Sequence, residues 1–438
     1  MITPEDHHAR PDLAASLAAV RPTHTRYWVI VFAITLAVIQ YIDRVCISQA
    51  APFISKDLGL SKPQMGLVFS AFVLAYALFE IPTGYMGDKI GPRRVLMRVV
   101  LWWSFFTAAT GWVWNWISLV IVRFLFGAGE AGCFPNLTKA FDRWLPLRER
   151  IRAQGIMWMS ARWGGAATPY LVFLVLGVVN WRSAFMLFGL LGVVWAFIFF
   201  AWYRDHPREH KAVNAAELAL LPSSNPGDSD HFNMPWSKLA RSKSIWLLCG
   251  QYFACSYSWY FFITWFPTYL LEVHKFDLKK SALLAGLPLL VGGFGSLVSG
   301  WYMPHAHRWL GVSLARRLNA IAGLVGAAAC LVAATFLHEP ILAVVAIAMA
   351  SFCNDITLPG SWTTCMDVGD KYVGTVSGTM NMMGNFGGVL SPIVLGIIVA
   401  RTGDWNLTFY VTAVLYLLGA ICWWFLDPVT PLEQQVKD

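Results

Sequence analysis

The stretch that decides the fold of this chain is Asn115-Trp-Ile-Ser-Leu-Val-Ile-Val-Arg123-Phe-Leu-Phe-Gly127-Ala-Gly129-Glu130-Ala-Gly132-Cys-Phe-Pro135-Asn136. It is long and apolar enough to cross a bilayer as a helix, since about 20 residues cover the hydrocarbon core. Its arginine and glutamate are seven positions apart, so a 3.6-residue period turns them to nearly the same side. Charged groups at membrane depth normally face a wet cavity. The stretch therefore predicts the wall of a polar pathway, and its glycines leave room for a helix or a ligand.

The same residues match a nucleotide-binding pattern by letter. Gly127-x-Gly129-x-x-Gly132 has the spacing of the dinucleotide fingerprint. That fingerprint has meaning only between a strand and the N-terminus of a helix. Here it lies inside an apolar span, so nucleotide binding is not predicted.

The composition is that of a polytopic membrane protein. Of the 438 residues, 57 % are hydrophobic and 13 % are charged, whereas soluble domains carry about 25 % charged residues. The 22 tryptophans and 14 tyrosines fit aromatic belts at the membrane interfaces. The polar residues 1–26 precede a full-length span, so no removable signal peptide is expected. No nucleophile–base pairing or metal-ligand spacing is present, so neither an enzyme nor a cofactor is expected.

Apolar runs predict an all-α membrane protein of twelve transmembrane helices in two pseudo-symmetric six-helix bundles. The predicted spans are 27–48, 63–86, 95–113, 116–138, 151–177, 181–203, 245–271, 281–303, 316–337, 340–366, 372–400 and 405–426. The predicted domains are an N-terminal tail (1–26), a first bundle (27–203), a linker (204–243), a second bundle (244–427) and a C-terminal tail (428–438).

The placement of lysine and arginine predicts the orientation. With a cytoplasmic N-terminus, 23 lie on the cytoplasmic side, 7 lie outside and 3 lie within spans. This asymmetry favours cytoplasmic termini and a cytoplasmic linker. The net charge of +8 is therefore a topology signal, and nucleic-acid binding is not needed to explain it.

The two halves of the chain repeat each other. A motif of span 5 reappears 223 residues later in span 11, and one of span 6 reappears 224 residues later in span 12. The motif pairs are Gly155-x8-Gly164-Gly165-x2-Thr168-Pro169 with Gly378-x8-Gly387-Gly388-x2-Ser391-Pro392, and Trp181-x3-Phe185 with Trp405-x3-Phe409. A parallel repeat of this kind predicts a substrate site between the halves, near the midplane of the membrane.

The loop between spans 2 and 3 reads Gly84-x3-Asp88-Lys89-Ile90-Gly91-Pro92-Arg93-Arg94. It resembles the loop signature of the major facilitator superfamily, in which this loop has a gating role. The glycines permit a tight turn, and Asp88 can hold the basic side chains at the helix ends. The matching segment Gly300-Trp-Tyr-Met-Pro304-His305 lacks the acid, so a latch there must work differently.

The five strongest charged candidates within the predicted spans are Asp43, Arg44, Arg123, Glu130 and Arg162. At about 2.5–3.5 kcal/mol per mid-helix charge, they would together cost roughly 12–18 kcal/mol if they faced lipid. That rivals the stability of a whole domain. They are therefore expected to line a wet cavity, while a structural ion pair remains the alternative for each. Weaker candidates on the same helix faces are Tyr41, Tyr76, Glu80, Gln251, Asp355, Trp362 and Asn381.

The detailed resemblance is to the anion:cation symporters of that superfamily, which include bacterial galactonate, glucarate and hexuronate carriers and, more distantly, sialin and the vesicular glutamate carriers. The matching residues are Tyr41-Ile-Asp43-Arg44, Phe69-Ser-Ala-Phe72 to Tyr76, Ile81-Pro82, Arg123-x6-Glu130-Ala, Phe134-Pro135, and Gln251 leading to Thr264-Trp265-Phe266-Pro267. The resemblance implies that Asp43 and Glu130 carry protons. It also implies that a sugar acid is bound by Arg44, Arg123, Tyr41, Tyr76, Gln251, Trp362 and Asn381.

This chain departs from the resemblance at two positions. Arg162 stands where the galactonate carrier of this family has a glutamine that would contact substrate. Asp355 stands where that carrier has a glycine. We expect the two new charges to balance each other across the cavity and to act as a gate. Recognition of a second carboxylate by Arg162 is an alternative, and so is a pair of Arg162 with Glu130 or Asp43.

The sequence thus predicts a proton-coupled secondary transporter of an organic anion, an aldonate, uronate or aldarate, in the cell inner membrane. The expected partners are that anion, protons and the lipid bilayer, and the chain is expected to work as a monomer. An anion or organophosphate exchanger without proton coupling is one alternative. A transporter-like nutrient sensor, which would bind its ligand without flux, is another.

Overall fold

The structure is a computed structural model that describes residues 21–222 and 233–435. Most of the predicted N-terminal tail, the middle of the predicted linker and the last three residues lie outside this range. Within the described residues the chain is helical throughout, with no strand. The fold is that of two six-helix bundles of membrane-spanning helices, as predicted.

The helices of the first bundle are α1 (Tyr27–Leu58), α2 (Lys62–Ile90), α3 (Pro92–Thr110), α4 (Trp116–Glu130), α5 (Cys133–Trp144), α6 (Leu147–Leu176) and α7 (Trp181–Trp202). Two short helices follow, α8 (Ala215–Leu218) and α9 (Trp236–Arg241). The second bundle consists of α10 (Lys243–Thr264), α11 (Phe266–Glu272), α12 (Leu278–Ala285), α13 (Leu287–Leu310), α14 (Val312–Phe336), α15 (Pro340–Ile356), α16 (Leu358–Gly369), α17 (Val373–Thr402) and α18 (Asn406–Phe425). The short α19 (Leu432–Gln435) ends the described chain.

The apolar character of the helices agrees with a membrane location. By length and composition, eight described stretches are able to cross a membrane, and one of them contains both the tenth and the eleventh spans. These stretches account for nine of the twelve spans. The remaining three are α3, α6 and α10, which are less apolar or more highly charged.

The prediction of one continuous span over 116–138 was wrong, because this span is broken in its middle. Helix α4 ends at Glu130 and α5 begins at Cys133. Between them Gly132 has φ +84°, a conformation that residues with a side chain rarely adopt. A side chain there would also collide with Thr83. The break leaves Glu130 at the end of α4.

Two further spans are also interrupted, at residues whose φ and ψ remain right-handed helical. The seventh is interrupted at Trp265, between α10 and α11, and the tenth at Thr357, between α15 and α16. Pro267 and Pro359 lie in the first turns of the helices that follow. Proline is tolerated there because the first backbone N–H groups of a helix have no partner within it.

The two bundles cross closely at two places, where glycines allow backbones to approach. Helix α6 crosses α13, and a methyl group on Gly155 would lie 2.6 Å from the Ser296 carbonyl oxygen. Helix α17 crosses α2, and a methyl group on Gly378 would lie 2.6 Å from the Glu80 carbonyl oxygen. Gly155 and Gly378 are the first glycines of the repeated motif. The repeat therefore supplies both contacts between the bundles.

Both ends of the described chain lie on one side of the bundles, which we call the terminal face; the opposite side is the distal face. On the terminal face, Arg26 at the start of α1 pairs with Glu149 at 2.9 Å and with the buried Glu217 of α8 at 3.0 Å. Hydrogen bonding to Glu149 raises the pKa of Arg26 above its ordinary value. Glu217 also accepts hydrogen bonds from the backbone N–H groups of Thr25 and Arg26. The first part of the linker is thereby fixed to the first bundle.

Candidate transport site

A cavity lies between the two bundles, at the level of the breaks in α4–α5 and α15–α16, and its empty volume is about 480 Å³. Aromatic and polar side chains from both bundles line it. They are Tyr41, Arg44, Tyr76, Phe134, Trp158, Arg162, Tyr252, Cys255, Ser256, Trp259, Tyr260, Asn354, Leu358, Asn381 and Asn385. Five of the predicted substrate-binding residues are in this set: Tyr41, Arg44, Tyr76, Arg162 and Asn381.

The cation most accessible from the cavity is Arg44 of α1. Its Nε and Nη2 atoms lie 3.0 and 2.8 Å from Oε1 of Glu130. The guanidinium also lies over the Tyr76 ring, 4.6 Å from its centroid. The Arg44 side chain is 20 % exposed and that of Glu130 is 1 % exposed. Both nitrogens contact one carboxylate oxygen, and the other, buried oxygen of Glu130 has no partner in the described chain.

A second ion pair joins the two bundles across the cavity. Nε and Nη2 of Arg162 on α6 lie 2.7 and 3.0 Å from the two carboxylate oxygens of Asp355 on α15. The guanidinium stacks on Trp259, 3.3 Å from the ring centroid. Asn354 donates a further hydrogen bond to Asp355 at 2.8 Å. The structure thus brings together the two residues that depart from the family resemblance, in a bidentate geometry.

A third carboxylate, Glu80 of α2, lies beside the cavity. Its Oε1 atom accepts a hydrogen bond from Asn381 of α17 at 2.6 Å, and Asn381 also approaches the Tyr76 hydroxyl at 3.4 Å. No ion pair of Glu80 is found in the described chain. This network links the bundles without a cation, at the α2–α17 crossing.

Asp43 and Arg123 lie outside the cavity lining, in the interior of the first bundle. Asp43 is buried and accepts a hydrogen bond from the Trp103 indole at 3.1 Å. Arg123 lies between aromatic rings, 4.2 Å from the centroid of Phe126 and 5.2 Å from that of Phe72. Its Nε and Nη1 atoms have no partner among the described residues. In this state, therefore, Arg123 does not reach the position where a substrate would bind.

Gln251 and Trp362 are also placed away from the cavity lining. The Gln251 carbonyl accepts hydrogen bonds from Trp423 at 3.2 Å and from Ser361 at 3.3 Å, inside the second bundle. The Trp362 indole donates to the Tyr252 hydroxyl at 3.1 Å. Trp362 is thus separated from the cavity by a residue that lines it.

The sequence placed the wrong face of α10 toward the cavity. Gln251, the candidate taken from this helix, shares a helical face with Cys255 and Ser258, of which only Cys255 lines the cavity. The face that does so carries Tyr252, Ser256, Trp259 and Tyr260. These positions are spaced 0, 4, 7 and 8 along the helix, which is a recognisable helical stripe. Both faces of this helix are aromatic and polar, so the pattern alone did not distinguish them.

At the terminal face the bundles are joined by Asp88, at the end of α2. Its carboxylate accepts hydrogen bonds from the backbone N–H groups of Gly374 and Thr375 at 2.8 and 2.7 Å, and from the Thr375 hydroxyl at 2.7 Å. The N-terminal end of a helix attracts negative charge, and here it is the start of α17. Asp88 thus holds a helix of the opposite bundle.

Of the basic side chains that Asp88 was expected to hold, the arginines of its own loop contact other groups. The Arg93 guanidinium donates to the Phe200 carbonyl at 2.7 and 3.1 Å, and its backbone N–H donates to Asp205 at 3.0 Å. Arg94 is exposed. The arginines therefore belong to the terminal face of the first bundle, and the carboxylate of Asp88 is left for the second bundle.

The basic partner of Asp88 is Lys139 of α5, which the sequence analysis did not single out. Its Nζ atom lies 3.4 Å from Asp88 and donates to the Lys371 carbonyl at 2.7 Å. Nearby, Arg150 of α6 reaches Asp367 of α16 at 3.7 Å. Lys139 directly follows the predicted end of span 4 at residue 138, and this position is the signal that would have identified it.

These contacts define the state of the protein. Most hydrogen bonds between the bundles lie at the cavity or at the terminal face; Trp163 adds one to the Leu290 carbonyl on the α6–α13 crossing. Among the described residues, no ion pair or hydrogen bond joins the distal halves of α1 and α10. The structure therefore shows a state in which the cavity is closed toward the terminal face.

Two pseudo-symmetric bundles around a central polar cavity that is closed toward one face are typical of secondary transporters. The family comparison names the particular family. The model of the Major Facilitator Superfamily matches residues 33–392 and 370–437. The chain belongs to this superfamily and is a multi-pass membrane transporter.

Similar proteins cover almost the whole chain. It is 36 % identical over 413 residues to a protein of Cupriavidus necator described as "Probable sulfoacetate transporter SauU", covering 93 % of this chain and 95 % of the relative. It is 29 % identical over 397 residues to the hexuronate transporter of Bacillus subtilis, covering 90 % and 92 %. The solved structure of the proton:xylose symporter XylE has the same fold, with a TM-score of 0.75 at 11 % identity over 93 % of this chain and 98 % of that one.

Proposed function

We propose that the protein takes up a small organic anion together with protons, by alternating access of the cavity to the two sides of the membrane. The observation that carries this proposal is the Arg44–Glu130 pair, a cation held by a buried acid at the edge of the cavity. The relatives described as sulfoacetate and hexuronate transporters support an acidic substrate.

The pair couples the two ligands through charge. With Glu130 ionised, Arg44 is neutralised, and an entering anion would leave the cavity with an uncompensated negative charge. Such a charge is costly away from water. When Glu130 takes a proton, Arg44 is released and can bind the carboxylate or sulfonate of the substrate. Tyr41, Tyr76, Asn381 and Asn385 then offer hydrogen bonds to hydroxyl groups.

We propose that Asp43 and Arg123 act on the site from behind the residues that line the cavity. Arg123 has two nitrogens without a partner, and Asp43 is a buried acid with one free oxygen. A change of protonation at Asp43 would alter the balance of charge behind Arg44. We therefore keep Asp43 as a proton-carrying candidate, while Arg123 positions the site in the state described.

We propose that the terminal face is cytoplasmic and that the protein lies in the cell inner membrane. The asymmetry of lysine and arginine along the chain supports this orientation. In that orientation the described state is closed to the cytoplasm by Asp88 and Lys139. Release of substrate inward then requires these contacts to open.

Uptake into proteoliposomes tests the proposal. Purified protein is assayed with labelled sulfoacetate, galactarate, galacturonate and galactonate, with and without an inward proton gradient. Accumulation of at least one anion above its equilibrium level, only with the gradient, is expected. Substrate uptake that reaches only its equilibrium level, with or without a proton gradient, would indicate an exchanger. So would uptake that occurs only in exchange for a second anion inside the vesicles. Binding without any flux would indicate a sensor.

A further inference from the structure

Two acids beside the cavity lie at equivalent places of the internal repeat, and each is paired with an arginine. Glu130 is the last residue of α4, and Asp355 is the second-last residue of α15. They are 225 positions apart, within two of the 223 and 224 positions that separate the repeated motifs. Each acid is followed by the break of its span, and each holds an arginine that lines the cavity.

The residues after each break support this equivalence. Phe134-Pro135 in the first half corresponds to Leu358-Pro359 in the second, at a spacing of 224 positions. Phe134 and Leu358 both line the cavity. Each half of the repeat thus places one acid beside the cavity, in contact with an arginine that lines it.

The groups around Asp355 leave Arg162 as the only cation facing it within the described chain. The other titratable side chains close to it are Cys255 of α10 and Tyr416 of α18. The remaining neighbours are uncharged: Gly292 and Ser296 of α13, and Asn354 of its own helix. Gly292 leaves space for the carboxylate, since a methyl group there would lie 2.7 Å from Asp355 Oδ2. Protonation of Asp355 therefore leaves the charge of Arg162 without a counter-ion among the described residues.

We infer that Arg162 and Asp355 form a second anion-binding position, and that the substrate is a dianion whose two charged groups bind Arg44 and Arg162. This inference rests on the proposed function and names its substrate class. The two arginines are balanced by two acids, so the pairs contribute no net charge. A dianion that displaces both acids restores neutrality only if both take a proton. One substrate then enters with two protons, and uptake moves no net charge.

The charge carried per substrate tests this directly. Uptake of sulfoacetate, a dianion, and galacturonate, a monoanion, is recorded in proteoliposomes together with transport current. The unmodified protein should favour sulfoacetate at least tenfold and carry no current with it. Asp355→Asn removes one proton site, so sulfoacetate uptake should become electrogenic, moving one negative charge inward. Arg162→Gln should lower sulfoacetate uptake at least tenfold and leave galacturonate uptake within about twofold.

The control variant alters an ion pair outside the cavity lining. Asp57→Asn alters an exposed ion pair with Arg182 on the distal face and should change neither uptake nor current. If the protein transports both probes equally well, or Asp355→Asn remains electroneutral, the dianion site is refuted while the proposed function stands. Equal loss of both probes in Arg162→Gln would mean that the pair is only structural. If the unmodified protein transports neither probe but takes up galactonate, the dianion site is refuted and the proposed function stands. If it takes up none of the four anions named above, both fail.

Discussion

At the scale of single residues, Glu130 and Arg44 carry most of the account. Both are buried in or beside the cavity, and their contact uses only one oxygen of the carboxylate. A pair of this kind can be exchanged for a substrate anion at low cost once the acid is neutral. A pair that uses both oxygens, like Arg162–Asp355, is harder to separate.

Glu130→Gln should abolish accumulation driven by protons and preserve exchange of labelled for unlabelled substrate. The amide cannot take up and release a proton, so Arg44 stays available for the anion throughout the cycle. Counterflow and gradient-driven uptake in proteoliposomes measure the two activities separately. Glu433→Gln changes an exposed acid and is the matched control. Continued accumulation by Glu130→Gln would assign the proton to another acid, with Asp43, Glu80 and Asp355 the next candidates.

Arg44→Lys should weaken substrate binding about tenfold, or roughly 1.4 kcal/mol. Lysine keeps the charge but loses the planar fork and the contact with the Tyr76 ring. Binding can be followed by tryptophan fluorescence, because Trp158 and Trp259 line the cavity. Arg401→Lys at the exposed end of α17 is the control. An unchanged affinity in Arg44→Lys would mean that Arg44 does not contact the anion.

The sequence predicted some of the cavity residues and misplaced others. The charges in the spans and the helical stripes were sufficient to predict Arg44, Tyr41, Tyr76, Arg162 and Asn381 as residues near a cavity. The pattern did not show that Arg123 lies among the rings of its own bundle, because a helix face tells which residues are buried and not which neighbour covers them. Gln251 was misplaced for the same reason.

At the scale of helices, the account depends on the two crossings between the bundles, at Gly155 and Gly378, and on the contacts that Asp88 makes at the terminal face. The repeat in the sequence predicted two related halves, and the structure gives its glycines a physical role. Gly155 and Gly378 let helices of opposite bundles pass with their backbones in contact. The breaks in spans 4, 7 and 10 were not predicted, because apolar runs of this length mark a crossing but not its continuity.

Gly378→Ala should reduce uptake more than tenfold. A methyl group at this position would lie 2.6 Å from the Glu80 carbonyl oxygen, so α2 and α17 must separate and the terminal face cannot close fully. Gly66→Ala is the control, because nothing lies within 4 Å of the added methyl group. Initial rates of uptake at equal protein density decide the result. Normal uptake by Gly378→Ala would show that the close crossing is not needed for the cycle.

Asp88→Asn should shift the protein toward the state that is open at the terminal face. The substitution removes the charge that pairs with Lys139 and weakens the contacts with the start of α17. Hydrogen bonds to charged groups contribute about 1.5–3 kcal/mol, so a shift of tenfold or more in the population is expected. Spin labels at the exposed positions 148 and 308, on α6 and α13, measure the distance between the bundles. An unchanged distance distribution would exclude Asp88 as a latch.

At the scale of the whole molecule, the fold followed from the sequence with little ambiguity. Twelve apolar runs, one polar linker and a parallel repeat leave few arrangements other than two bundles around a central site. The details of closure did not follow from the sequence. Lys139 and Asp367 join the bundles only after the chain has folded, and nothing in the local pattern pairs them.

The orientation in the membrane gives a prediction at this scale. Single cysteines at the exposed positions 208 and 241 should be protected from a membrane-impermeant thiol reagent in intact cells and labelled in inverted vesicles. The physical reason is the excess of lysine and arginine on the terminal face. A cysteine at the exposed position 404, on the distal face, should show the opposite pattern. Labelling of position 208 or 241 from outside would reverse the proposed orientation.

The measurement that tests the central claim most directly is proton movement during uptake. Proteoliposomes containing a pH-sensitive dye are given sulfoacetate or galacturonate on the outside, with no pre-formed proton gradient. If the anion enters with protons released from Glu130, the lumen should acidify in step with uptake, and Glu130→Gln should abolish the acidification. Uptake of the anion at the same rate with no change of internal pH would contradict the account.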